Sequence, residues 1–325
     1  MKKTLLLIAA IVLAVGLAAC GSKTNNSGTT GGSTSTNTQN GGGDSTAGGG
    51  SAADSGTKLS GSILAAGSTA LQPLAEQVSK EFMAEPDYSG ITVQVQGGGS
   101  GTGLTQVAGG QVQIGNSDIF AEEKFKDADA DQAKALVDHT VAVVAMATVV
   151  NKDVTVDNLT KQQLVDIFTG KVTNWKDVGG PDEKITLVNR PSSSGTRATY
   201  EKFALGTKSE DIPGSIQEDA SGTVKKLVSE TKGAIGYLAL SYLDDSVKTV
   251  KYEGVDPTED NVITGKYPVW AYEHMYTKGE PAPEVKAFLD YMMSDKIQNG
   301  DVVQLGYIPV TKMQVKRDAA GSVSK

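Results

Sequence analysis

The sequence predicts an α/β fold. Short apolar or alternating runs are repeatedly followed by segments with apolar residues at helical spacing. The passages between them carry glycine, serine and threonine. The chain has 325 residues, too many for one small domain and comfortable for two.

The first parts of the chain are not part of that alternation. Lys2 and Lys3 precede an apolar run from Leu5 to Ala19, too short for a membrane span and suited to the core of a signal peptide over residues 1–19. The run ends in Leu17-Ala18-Ala19-Cys20, which looks like a lipobox, and Cys20 is the single cysteine of the chain. Lipidation of Cys20 is expected, and an intramolecular disulfide is excluded. The rest of segment 20–57 is Gly, Ser, Thr, Asn and Ala with few charges, and cannot bury enough apolar surface to offset its ordering entropy. As a flexible tether it would span roughly 35 Å root-mean-square. Function therefore belongs to residues 58–325.

Within that body Ser62–Ala66 reads as a strand, and 69–84 as a helix with Leu71, Leu74, Val78 and Phe82 on one face and Pro73 in its first turn. Ile91, Val93 and Val95 alternate as a strand that ends in Gln96-Gly97-Gly98-Gly99-Ser100-Gly101-Thr102-Gly103, before a short helix. Val112–Gly115 is a strand ending at Asn116-Ser117-Asp118. The continuous run Thr140–Val150 predicts a buried central strand. Thr160 with Gln163 forms a capping box for a helix to Phe168, stopped by Gly170. Ile185–Val188 and Gly233–Leu238 are strands, and 283–299 carries Val285, Phe288, Leu289 and Met292 on one helical face.

Ligands of open α/β sheets bind beyond the carboxyl ends of the strands, where helix N-termini offer free N–H groups to anions. Three junctions have that make: Gly67-Ser68-Thr69-Ala70, Gly99-Ser100-Gly101-Thr102 and Ser194-Gly195-Thr196. Each alone is equally a helix cap. Together with Arg190, whose guanidinium can grip two oxygens, and Asp118 at a strand end, they point to a site for a tetrahedral oxyanion. Arg197, one turn beyond Ser194, either adds to that field or pairs with an acid elsewhere.

Other chemistries fit poorly. The net charge of −8 argues against nucleic acid. The glycine run lacks the Lys-Ser/Thr of a P-loop, and the two Ser-x-x-Lys matches lack companion motifs. His139 and His274 stand isolated, without metal-ligand spacing, and Trp175 and Trp270 read as core or hinge packing. No catalytic residue, metal or cofactor is expected.

The junctions, the stretch DIFTGKVTNWKDVGG (166–180), GAIGYL (233–238) and the Arg-x-x-x-Ser-Gly-Thr-Arg pattern (190–197) together resemble the phosphate-binding proteins of bacterial ABC importers, the PstS family, in its lipid-anchored Gram-positive form. The resemblance covers roughly residues 60–312. It implies a two-lobed periplasmic-binding-protein-like (type II) fold with lobe 1 at 58–145 and 269–325 and lobe 2 at 146–268. The two crossings fall near 143–149 and 266–272. It implies phosphate as ligand, permease and ATPase subunits as partners, a lipid anchor in the cell membrane and an extracellular body. The implied phosphate-binding residues are Thr69, Ala70 (through its backbone), Ser100, Asp118 as proton acceptor, Arg190, Ser194, Gly195 and Thr196. A same-fold receptor for sulfate or molybdate, and an enzyme or adhesin on the same scaffold, are the competing readings. Members often place an acid between the arginine and the Ser-Gly-Thr. Here the interval is Pro191-Ser192-Ser193, so Arg190 is held by another acid or less rigidly.

Overall fold

The computed structural model describes residues 58–325 apart from Glu210. The leader, Cys20 and the tether lie outside the described residues. Strand β1 (Ser60–Gly67) buries Ile63 and Ala65. Helix α1 (Gln72–Ala84) begins three residues later than the apolar spacing alone predicts. The reason is local: the Ser68 hydroxyl accepts from the N–H groups of Ala70 (3.1 Å) and Leu71 (3.0 Å), holding 68–71 as a turn. Strand β2 (Gly90–Gln96), α2 (Ser100–Ala108) and β3 (Ile114–Ser117) follow, then the short α3 (Ala121–Lys124) and α4 (Ala130–Lys134). Strand β4 (Leu136–Val150) is buried without interruption from Val141 onward, as its unbroken apolar run requires.

The second half opens with β5 (Asn158–Leu159) and α5 (Lys161–Phe168). The Thr160–Gln163 capping box forms, and Gly170 takes the left-handed conformation beyond the helix (φ 75°). Next come β6 (Thr186–Asn189), α6 (Gly195–Tyr200) running into one π-helical turn at Glu201–Leu205, β7 (Ile216–Gln217), α7 (Ser221–Glu230) and β8 (Ala234–Ala239). Strand β9 (Lys248–Tyr252), α8 (Glu259–Ile263) and β10 (Trp270–Lys278) lead to the C-terminal helices. The single face predicted over 283–299 divides into α9 (Pro283–Met292) and α10 (Asp295–Asn299), because Met293 leaves the helix and Ser294 starts a new one with an extended backbone. Helix α11 (Asp301–Gln304) and the pair β11 (Lys316–Arg317) and β12 (Val323–Ser324) complete the described chain.

The strands run in the order β2-β1-β3-β10-β4-β8-β6-β7, with β9 beside β4 and β5 beside β9. β1 is parallel to both β2 and β3, and β6 is parallel to β7 and β8. The carboxyl ends of β1, β2 and β3 thus deliver residues 67–70, 97–100 and 118 to one edge, and those of β6 and β7 deliver Arg190 and Asp219. β4 joins the two parallel groups: its residues to Ala145 pair with β10, and from Met146 on they pair antiparallel with β8.

The core runs along both groups. Phe82 is fully buried, stacks on Tyr88 at 4.3 Å between ring centres and meets Phe288 edge-on. Trp175 is fully buried and its indole N–H donates to the Gly233 carbonyl at 2.9 Å. Tyr200 stacks on Tyr237 at 4.3 Å. Arg317 of β11 is sandwiched, its guanidinium carbon 3.6 Å from the Phe203 ring centre and 4.0 Å from that of Trp270. Its Nη2 donates to the Pro268 carbonyl at 2.8 Å, and its Nη1 to that of Trp270.

Phe82→Ala removes a fully buried ring from a packed aromatic cluster. It should destabilise the folded body by about 3–5 kcal/mol, read as a lowered urea midpoint at unchanged slope.

Candidate anion-binding site

Asp118 lies immediately beyond β3 and is almost fully buried. Its Oδ1 accepts from the Ser68 hydroxyl, and its Oδ2 from the Thr196 hydroxyl at 3.0 Å. Its own N–H donates to the Ser100 hydroxyl at 2.9 Å. One residue therefore gathers all three junctions, the first and third through its carboxylate and the second through its main chain. Two glycines make the approach feasible. Gly67 has φ +134°, and a Cβ there would stand 2.2 Å from the Asn116 carbonyl. A Cβ on Gly195 would stand 2.0 Å from Ser100 Oγ.

Arg190 follows β6 and is 1% exposed. Its Nη2 donates to Thr69 Oγ1 at 2.9 Å and to the Asp219 carbonyl, and its Nη1 lies 3.4 Å from Ser221 Oγ. Its Nε is buried without a hydrogen-bond partner. Asn189 sets the backbone beneath it: Oδ1 accepts from the Arg190 N–H (2.9 Å) and from the Tyr237 hydroxyl (2.7 Å). The interval 191–193 offers no acid, and beyond β7 it is the main-chain carbonyl of Asp219 that accepts from Arg190, while Asp219 Oδ1 is buried without a partner. Asp219 lies against Arg190; burial raises its carboxyl above the ordinary range, and Arg190 opposes that rise.

Arg197 does not point into this cluster. Its Nε donates to Glu201 Oε1 at 2.8 Å, Nη1 to the Arg190 carbonyl at 2.6 Å and Nη2 to the Ser209 carbonyl at 2.7 Å. It pairs with an acid and fixes the main chain of Arg190 from behind. Glu201 also accepts from the Ser209 N–H and hydroxyl, each at 2.8 Å, and Ser209 accepts from Asn189 at 3.0 Å, which closes the network. Burial alone would raise the Glu201 carboxyl; the bonds from Arg197, Lys208 and Ser209 outweigh it and hold Glu201 below its ordinary value of 4.5.

The first and second junctions meet the third across the site. Gly101 N–H donates to the Ser193 carbonyl at 2.9 Å, Thr69 Oγ1 lies 3.0 Å from Ser221 Oγ, and the Tyr242 hydroxyl donates to the Thr69 carbonyl at 2.7 Å. The structure brings Thr69, Ala70, Ser100, Asp118, Arg190, Gly195 and Thr196 into one region. Ser194 is present as the cap of α6, its hydroxyl accepting from Arg197 N–H at 3.2 Å. The Ala70 N–H is engaged by Ser68.

Ser68, Asp219 and Ser221 are additions that sequence reasoning missed as site residues. Ser68 was visible in the first junction as another hydroxyl. Asp219 and Ser221 follow a two-residue strand too short to register. His274 is buried with Nδ1 against the Asp138 oxygens at 2.8 and 3.0 Å, and among the described residues no group of three or more His, Cys, Asp or Glu is placed to hold a metal. A surface groove of about 670 Å³ opens between α3, the π-helical turn and Ala319, but none of the predicted binding residues lines it. The buried polar cluster, with an unpaired guanidinium nitrogen, is the better candidate.

The comparisons place this fold among the periplasmic-binding-protein-like proteins. Residues 47–296 match the PBP superfamily domain model. The chain is 56% identical over 269 residues, 82% of its length and 87% of the relative's, to the phosphate-binding protein PstS of Bacillus subtilis strain 168. It is 29% identical to the Pseudomonas aeruginosa PAO1 protein of the same name, over 78% of this chain and 84% of that one. A Clostridium perfringens protein solved with phosphate bound superposes with a TM-score of 0.70 at 32% identity, covering 77% of this chain and all of that one. An ABC-type phosphate transport receptor from Vibrio cholerae gives a TM-score of 0.61 at 30% identity, covering 76% and 99%. The chain belongs to the PstS family of phosphate-binding proteins.

Because the folded Glu201 carboxyl is held low, its contribution to stability is complete above the unfolded value and is lost as pH falls through the folded one. The stability gap between the parent and Glu201→Gln should be constant above about pH 5.5 and shrink below about pH 4.5, measured by urea unfolding across that range. A gap independent of pH would remove the ionised Glu201 from the network.

Proposed function

We propose that this chain captures inorganic phosphate between two α/β lobes and presents it, in the closed form, to the permease of an ABC importer. The observation that carries the ligand is Asp118, a buried carboxylate set among hydroxyls, helix starts and Arg190. A carboxylate only accepts hydrogen bonds, so an oxyanion beside it must bring a proton. Phosphate carries one or two near neutral pH and sulfate carries none. A buried polar group left without its partner can discriminate by ~10⁴–10⁵. The phosphate held by the Clostridium perfringens structure and the name of the Bacillus subtilis relative support the same ligand.

Donation comes from Arg190, the hydroxyls of Thr69 and Ser100, and the backbone N–H groups of Gly195 and Thr196, while the Thr196 hydroxyl serves Asp118; the N–H groups of Ala70 and Ser194, bonded here to Ser68 and to the Pro191 carbonyl, join them on release from those partners. Lobe 1 comprises 58–145 and 269–325, and lobe 2 comprises 146–268. The change of partners along β4 after Ala145, and the start of β10 at Trp270, support crossings at those points. Closure brings Ser193–Thr196 onto Ser100 and Asp118 and excludes water, which strengthens every dipole in the site. The leader and Cys20 place the protein on the outer face of the cell membrane by a lipid, with segment 21–57 as the leash between anchor and body. The permease and its ATPase subunits are the protein partners.

Calorimetric titration of ligand-free 58–325 should show one tight phosphate site and no heat from excess sulfate. Asp118→Asn replaces the acceptor by a group that also donates; it should weaken phosphate and admit sulfate, and unchanged exclusion of sulfate would refute the acceptor role. Gly195→Ala tests closure separately. Its methyl would collide with Ser100 Oγ at 2.0 Å and Ser100 Cβ at 2.6 Å in the closed form, while alanine favours the helix. Phosphate affinity should fall about tenfold or more, a loss of about 1.4 kcal/mol, with thermal stability of the ligand-free protein undiminished.

A further inference from the structure

Behind Asp118 lies a second acid. Glu273 is on β10, one residue before His274, which pairs with Ser117 of β3. The antiparallel register therefore sets Glu273 beside Asp118. The ladder with β4 shifts between Glu273 and His274, an irregularity of the kind that re-aims a side chain. Glu273 is fully buried, and neither carboxyl oxygen has a donor. The Tyr307 and Tyr242 hydroxyls lie near enough to feel its charge, but each already donates elsewhere, to the carbonyls of Ala70 and Thr69. The group that acts on it within hydrogen-bond reach is the Asp118 carboxyl, and no cation does. Two carboxylates so placed do not both ionise. Burial, with Asp118 adding to it, pushes Glu273 well above the usual carboxylate range.

We infer that Glu273 is the positioning residue of the phosphate site: as a neutral acid it donates its proton to the Asp118 carboxylate and holds that carboxylate as an acceptor. The inference rests on the phosphate reading above. A carboxylate offers about four acceptor positions. Ser68, Thr196 and Glu273 occupy three, which leaves one for a proton brought by the ligand. The pair then carries one negative charge and one proton. Glu273 thereby belongs to the selection of a protonated oxyanion without touching it. Asp219 and Arg190, which face the site from lobe 2, are unchanged in the Glu273 variants.

The test compares the parent with Glu273→Gln and Glu273→Leu. Glutamine keeps a donor toward Asp118 at nearly the same volume, and leucine removes it. Infrared difference spectra of parent against Glu273→Gln at neutral pH should show a protonated carboxylic-acid band in the parent alone; its absence would overturn the inference. In calorimetric titration Glu273→Gln should bind phosphate within about threefold of the parent, and Glu273→Leu about tenfold or more weaker, the worth of one hydrogen bond to a charged group. Equal losses in both variants would leave Glu273 a packing residue and overturn the inference. A parent that binds no phosphate would overturn the ligand reading instead, and the infrared band would still decide whether the acid pair exists.

Discussion

The structure depends on β4 changing partners in mid-strand. Its 15 residues are continuous, yet Leu136–Ala145 face β10 and Met146–Val150 face β8. A strand built this way must be buried on both faces for most of its length, and the run Val141–Val150 is. The parallel strands on either side can then aim their carboxyl ends at a common region. Three strand ends from one side and two from the other meet there, and that meeting assembles the site. No helix need carry a long functional side chain, because hydroxyls and amides at strand-to-helix turns are already in place.

Much of this was legible in the sequence because it rests on local chemistry. The unbroken valine and alanine run announced β4, the Thr160–Gln163 box announced α5, and glycine-serine turns announced the strand ends. Asp118 and Arg190 stood at strand ends before anything was known of their partners. The gaps share one cause, dependence on distant contacts. Helix α1 starts late because Ser68 turns its hydroxyl to the backbone while serving an acid 50 residues away. The break at Met293–Ser294 leaves no glycine or proline to mark it. Asp219 steadies Arg190 from 29 residues downstream, a distance no motif records. Glu273 looks in sequence like any strand glutamate; only the register of β10 against β3 sets it beside Asp118.

The site also shows how an anion can be held by an acidic protein. Asp219 lies against the Arg190 guanidinium, Asp118 lies close to Asp219 and Glu273 stands behind Asp118, a balance that would repel a further negative charge if all were ionised. Dipoles and hydroxyls supply most of the donation, and they count at contact distance whatever the net charge of the chain. Arg190 is rigid because Asn189, Arg197, Ser209 and Glu201 fix its main chain and Thr69 and Asp219 fix its head. On the proposed reading, affinity and selectivity are divided between parts: one guanidinium that attracts and one carboxylate that asks for a proton.

Arg317 fastens the tail by a different principle. Burial pushes its guanidinium down to about 10, so it remains charged at neutral pH. What grips it is two aromatic faces and two peptide carbonyls, not an exposed ion pair. Exposed ion pairs loosen as salt rises, whereas a buried cation between rings is screened far less. This fastening of Phe203, Trp270 and β11 is therefore less sensitive to salt than an exposed ion pair would be.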